Sequence, residues 1–178
     1  MKIFYINIDE YFKTQPLQKS HALIKTFEKD FKSEKRRKEY AISRFLLKYI
    51  PEKIYGLNNL EIGIKNKKPY FTNCELNFSI THSQNIVAVA FSKHPVGLDV
   101  EFIKKRNFKP VLERLGINAQ GLDLEQFYHY WTEYEAKVKL QQDAKFCYTC
   151  KLAKEYILTV CSSAFNDIIE IEKVTVFH

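Results

Sequence analysis

Apolar and polar positions along the 178 residues follow two periods, and each change of period marks an element. "KIFYINI" at 2–8 reads as an opening strand. Residues 17–50 read as helical, with apolar positions at Leu23, Ile24, Phe27 and Phe31, then at Tyr40, Phe45, Leu46 and Leu47. Pro51 and Gly56 are expected to end that segment. "LEIGI" at 60–64 and "KPYF" at 68–71 predict a short hairpin across "KNK". Three strands follow with brief connections: "LNFSITHS" at 76–83, "IVAVAFS" at 86–92 and "VGLDVE" at 96–101. A second helical region covers about 107–142, broken near "LGINAQG", and "EYILTVC" and "IIEIEKVTVF" close the chain as strands. Strand, helices, strands, helices, strands is an α+β order.

Composition narrows this picture. The net charge of +7 is concentrated in residues 1–60, with 13 Lys and Arg against 7 acids, whereas residues 61–178 hold 15 against 14. The excess centres on "KSEKRRKEYAISR" at 32–44 and suits a polyanion, although Glu34 and Glu39 also fit a solvated helix face. No apolar run approaches the ~18 residues of a membrane-spanning helix. Acids appear at the N-terminus before any signal-like stretch develops, so the expected location is the cytoplasm. Cys74, Cys147, Cys150 and Cys161 do not form a dense disulfide framework, and reduced, partly buried thiols are expected. Cys147 and Cys150 form a C-x-x-C without the second pair that a zinc ribbon needs.

Candidate chemistry lies in three places. In "VGLDVE", strand alternation turns Val96, Leu98 and Val100 toward a core and projects Asp99 and Glu101 together from the other face, with Gly97 leaving space beside them. Two adjacent carboxylates repel unless something positive sits between them, and a hard divalent cation with oxygen ligands is one candidate. Pairing with Lys104, Lys105 or Arg106 is the structural alternative. In "WTEYEAKVKL" at 131–140, Phe127, Trp131, Tyr134 and Val138 form one helical stripe, and Thr132, Glu135, Lys139 and Gln142 form the polar stripe beside it. Glu135 and Lys139 are either an i,i+4 surface pair or a carboxylate and an ammonium at the rim of a site. In "NFSITHS", Phe78, Ile80 and His82 share one face, and Ser79, Thr81 and Ser83 share the other.

Taken in order, "NKKPYF", "NFSITHS", "VGLDVE" and "WTEYEAKVKL" resemble the motifs of the 4'-phosphopantetheinyl transferases: a G-K-P-like turn, F-N-x-S-H-S, G-I-D-I-E and W-x-x-K-E-A-x-x-K. The likeness covers roughly 66–101 and 127–140, with a looser match at "KRRKEYAISRFLL". It implies the single-chain, pseudo-dimeric type: two pseudo-symmetric α+β halves, here 1–92 (basic, on the coenzyme A nucleotide side) and 93–178 (carrying the metal site), acting as a monomer. It further implies Mg2+ held by Asp99, Glu101 and Glu135, with Glu135 also activating the acceptor serine and Lys139 meeting the phosphates. Thr81 and His82 would contact the phosphates of coenzyme A, and Lys68 and Arg44 its nucleotide portion. The implied reaction moves 4'-phosphopantetheine from coenzyme A to an apo acyl or peptidyl carrier protein, as in fatty acid biosynthesis, without membrane or nucleic acid as partners.

This chain departs from the pattern at four places. Gln84 and Lys67 stand where the family commonly has glycine, Tyr134 replaces a lysine, and "LQQDAKF" replaces a glycine-flanked basic turn. Two other readings use some of the same residues. A metal-dependent nuclease would take Asp99, Glu101 and the E-x-K of Glu135–Lys137, and would need that E-x-K on a strand. A basic nucleic-acid-binding module would use Lys35–Lys38. Neither accounts for "NFSITHS" and "VGLDVE" at this spacing.

Overall fold

A computed structural model describes residues 1–14, 31, 33–165 and 168–175. They form an α+β protein of nine strands and four helices among the described residues. The strands are β1 (Lys2–Asn7), β2 (Ile62–Lys65), β3 (Lys68–Phe71), β4 (Asn77–Ser83), β5 (Ile86–Ser92), β6 (Val96–Phe102), β7 (Phe146–Ala153), β8 (Tyr156–Ser162) and β9 (Glu170–Lys173). The helices are α1 (Ile8–Thr14), α2 (Glu34–Tyr55), α3 (Lys109–Arg114) and α4 (Leu124–Leu140).

Two sheets carry the molecule, one ordered β4-β5-β1-β9 and the other β6-β8-β7, and β2 and β3 form a separate hairpin. Every residue of β5 is buried, which explains its unbroken apolar run: both its faces are covered. Val87, Val89 and Phe91 pack with α2 residues Ile42, Leu46 and Ile50. Ile86, Ala88 and Ala90 pack with Val96, Leu98 and Val100 of β6, as the alternation predicted. Near the end of the chain, β9 pairs in parallel with β1 and so joins the first sheet.

Three expectations need correction. Helix α2 does not stop at Pro51; burial of Ile50 and Pro51 carries it past the hydrogen bond that proline cannot donate, and only Gly56, at φ 67°, ends it. The stretch around the C-x-x-C is strand β7, a tolerated mixture of half-buried and exposed positions that periodicity did not single out. Cys147 and Cys150, an odd number of residues apart on that strand, point to opposite faces. Cys147 instead lies opposite Cys161 on β8 and forms a disulfide with it, whereas Cys74 and Cys150 are free. The expected helical positions Leu23, Ile24 and Phe27 lie outside the described residues.

Candidate active site

The site lies where the two sheets meet edge to edge. β4 and β6 are edge strands of different sheets, and side-chain hydroxyls join them in place of a backbone ladder. Ser79, Thr81 and Ser83 Oγ atoms accept from the backbone N–H groups of Leu98, Val100 and Phe102, at 3.0, 3.1 and 3.1 Å. The same hydroxyls donate onward: Thr81 to Asp99 Oδ1 at 3.1 Å and Ser83 to Glu101 Oε2 at 2.8 Å. Ser-x-Thr-x-Ser on β4 thus faces Gly-x-Asp-x-Glu on β6, satisfying a buried sheet edge and orienting both acids. This pairing of two i, i+2, i+4 patterns was present in the sequence, but their partnership was not apparent there.

The space beside the acids is filled by protein. Gly97 lets α4 approach so closely that a Cβ there would lie 1.9 Å from the Ala136 carbonyl oxygen and 2.6 Å from the Leu140 nitrogen. Asp123 and Gln126 fix the start of α4 with a reciprocal capping box. Buried Thr132 hydrogen-bonds Thr159 on β8, pinning the helix to the sheet. That seating brings Lys139 Nζ to 2.6 Å from Asp99 Oδ1 and 3.2 Å from Thr81 Oγ1. One end of the same helical face carries Trp131, whose Nε1 donates to Glu101 Oε1 at 3.4 Å. Glu135 is one turn from both Trp131 and Lys139, hence half-buried between the two contacts with the β6 acids.

Asp99 is the most constrained group. Its burial pushes the carboxyl up to about 6 and the charge of Glu101 adds to the rise, while Lys139 and the Thr81 hydroxyl oppose it. Asp99 Oδ2 is buried with no hydrogen-bond partner. An orphaned carboxylate oxygen costs about 1–3 kcal/mol and marks a place where a cation would be welcome. Among the described residues, however, no three His, Cys, Asp or Glu side chains come together as a group that could hold a metal ion.

The remaining candidates sit around this junction in different ways. The Thr81 hydroxyl is buried and already serves Asp99, Lys139 and Val100, so its place is behind the acids. His82 points to α2, with Nε2 at 3.3 Å from Arg36 Nη1 and Nδ1 at 3.7 Å from Glu39 Oε2. Lys68 reaches across from β3 to donate to the Val96 carbonyl at 2.8 Å, and burial lowers its ammonium to about 8. Lys68 and Lys139 both line a cavity of about 330 Å³ whose apolar wall includes Pro69, Phe78, Ile80 and Val138. Arg44 is not in that cavity; it covers the Tyr40 ring at 4.8 Å and lines a second one of about 380 Å³ with Lys48 and Glu52.

Arg36, Glu39 and Trp131 were not singled out as site residues; the first two were hidden in a charge run that also reads as a solvated face. The nuclease geometry fails on this backbone. Glu135–Lys137 is helical, and Lys137 is exposed and paired with Glu133.

No family model matches the chain. A protein of Haemophilus influenzae that bears the name 4'-phosphopantetheinyl transferase provisionally is 35% identical over 86 residues, 42% of this chain and 37% of the relative. The 4'-phosphopantetheinyl transferase of Aneurinibacillus migulanus is 32% identical over 78 residues, 39% of this chain and 32% of the relative. That of Bacillus subtilis is 30% identical over 111 residues, 55% of this chain and 49% of the relative. The matches thus span about a third to a half of the length of these curated relatives. The three names agree with one another and with the motifs gathered at the β4–β6–α4 junction, and together they support placing the chain in the 4'-phosphopantetheinyl transferase superfamily.

Proposed function

We propose that this chain transfers the 4'-phosphopantetheine group of coenzyme A to a serine of an apo acyl or peptidyl carrier protein, with Mg2+ required and 3',5'-ADP released. The observation that carries this reading is the Thr81–Asp99–Lys139 junction, with Glu101 held beside it by Ser83 and Trp131. Two acids on one strand face, with a lysine ammonium on Asp99, suit the charge of a pyrophosphate better than a neutral substrate.

The donor set fits a magnesium ion. Asp99 offers its unpartnered Oδ2, Glu101 lies two positions on along the same strand, and half-buried Glu135 lies on α4 one turn from Lys139. Magnesium takes as few as one or two protein carboxylates when substrate phosphates and water complete its shell, so Asp99 and Glu101 can begin the set without a third acid gathered beside them. When bound there, the ion would neutralise charge on the pyrophosphate. The rest of the work falls to side chains. Glu135 takes the proton of the attacking serine hydroxyl as its oxygen bonds to phosphorus. Lys139 turns from Asp99 toward the phosphates and offsets charge on the leaving 3',5'-ADP as the P–O bond breaks. The cavity beside Lys68 and Lys139, apolar with cations at its rim, suits a portion of coenzyme A.

In this reading the two sheets are the cores of two related halves meeting at β4 and β6, with the boundary in the turn after β5 and β9 returning from the second half to the first sheet, and the chain works as a cytoplasmic monomer. Among the described residues no helix is long and apolar enough to cross a membrane. The experiment is intact-mass spectrometry of apo acyl and peptidyl carrier proteins incubated with this protein, coenzyme A and magnesium, with a chelator control. Gain of one phosphopantetheine only with magnesium is expected. No gain on any carrier would overturn the proposal.

A further inference from the structure

Glu39 is an acid in the most basic part of the chain, and it is buried on α2 with 4% of its surface exposed. Its carboxylate has two cationic or ionisable neighbours: Arg36 Nη1 at 3.3 Å from Oε2, and His82 Nδ1 at 3.7 Å from the same oxygen. Arg36 Nη1 is also 3.3 Å from His82 Nε2, so the three side chains close a triangle between α2 and β4. Lys35, from the same turn of α2, reaches Gln84 at the start of the β4–β5 turn. Arg36 is 62% exposed, and a guanidinium has five N–H donors, so most of its fork remains available to a ligand.

We propose that Glu39 is a positioning residue: from behind, it holds Arg36 and His82 as a preassembled donor pair for a phosphate group of the substrate. The proposal rests on the transferase reading above. A buried acid orients the pair without presenting its own charge at the surface, and holding a flexible arginine in advance lowers the cost of ordering it on binding. The groups facing His82 are Glu39, Arg36 and Lys35 from α2 and Lys139 from α4. Burial lowers its pKa, the three cations lower it further, and Glu39 opposes them. A neutral imidazole whose Nδ1–H faces the carboxylate has no second N–H, and it becomes a donor to a phosphate by gaining a proton at Nε2 as the ligand arrives.

The test is calorimetric binding of coenzyme A, and of inorganic pyrophosphate as a simpler probe, to the full chain, beside steady-state carrier loading. Glu39→Gln and Arg36→Gln are each expected to weaken coenzyme A binding about tenfold and to raise its KM with kcat changed less than about twofold, a split that general loosening of the fold would not produce. Glu39→Asp should recover part of the affinity. Combining Glu39→Gln with Arg36→Gln should add little beyond the larger single loss. Wild-type affinity in Glu39→Gln, while the parent binds coenzyme A, overturns the role of Glu39 alone. A parent protein that binds neither ligand overturns the transferase reading and this proposal together. If circular dichroism shows Glu39→Gln unfolded, Arg36→Gln at its exposed position decides the matter, and unchanged affinity there overturns the proposal.

Discussion

Lys139 Nζ lies 2.6 Å from Asp99 Oδ1, joining helix α4 to strand β6 across 40 positions of sequence. Asp99 is buried and Lys139 only partly so, which makes the pair more than a surface ion pair and leaves Asp99 without compensation if the lysine is lost.

Lys139→Ala is therefore expected to lower the rate of carrier loading by about 10²–10³-fold, the range for losing one preorganised charge partner of a transition state. Lys137→Ala, which removes only an exposed pair with Glu133, should stay near the parent rate. Equal losses in the two variants, measured as phosphopantetheine transferred per minute, would remove the catalytic assignment of Lys139.

Gly97→Ala should be severe for a steric reason alone. Its added Cβ meets helix backbone, not a flexible side chain, so α4 must shift away from β6. Overpacking of this kind costs about 1–3 kcal/mol or more. A lowered Tm together with weakened transfer is the expected pattern, and a parent-like Tm would show that the helix does not sit where it is described.

Lys67 occupies the second position of the hairpin turn with φ 65°, following Asn66 at φ 50°, a left-handed pair in which glycine is preferred. Lys67→Gly should relieve about 1 kcal/mol of backbone strain and raise Tm by about 2–4 °C. Gln84 at φ 50° and Gln141 at φ 62° have the same conformation. Their side chains hydrogen-bond Lys35 and the Asn66 carbonyl, so glycine should gain less there. A Tm in Lys67→Gly at or below the parent's would refute the turn geometry.

Lys68 gives a pH signature. Its folded pKa is lowered by burial to about 8 from 10.5, so the unfolded chain holds more protons between those values. Stability attributable to Lys68 must then rise with pH through that window, and below it the buried ammonium is a constant cost. Chemical denaturation of the parent and Lys68→Met should show the parent gaining on the variant from about pH 8 upward. A pH-independent difference would contradict a depressed pKa.

The Cys147–Cys161 bond closes a 14-residue separation between neighbouring strands. Disulfides of that span contribute typically about 2–4 kcal/mol, so reduction should lower Tm measurably. Alkylation of the unfolded, unreduced protein should label two thiols, Cys74 and Cys150. Four labelled cysteines would show that the pair is reduced.

Much of this protein was determined by sequence over short distances. The runs in 76–101 placed β4, β5 and β6, and the alternation in β6 gave its core-facing Val96, Leu98 and Val100 and the projection of Asp99 and Glu101 from the other face, because strand geometry turns successive side chains to opposite sides. The helical period around 127–140 likewise put Glu135 and Lys139 on one stripe. These rules act between residues two to four positions apart. Only tertiary structure decided that Gly97 is a seat for α4, that Ser79, Thr81 and Ser83 close the edge of β6, that Cys147 meets Cys161 and that Arg44 stands in a different cavity from Lys68. Such pairings depend on which buried faces and unsatisfied edges come together, and local periodicity carries no record of that choice.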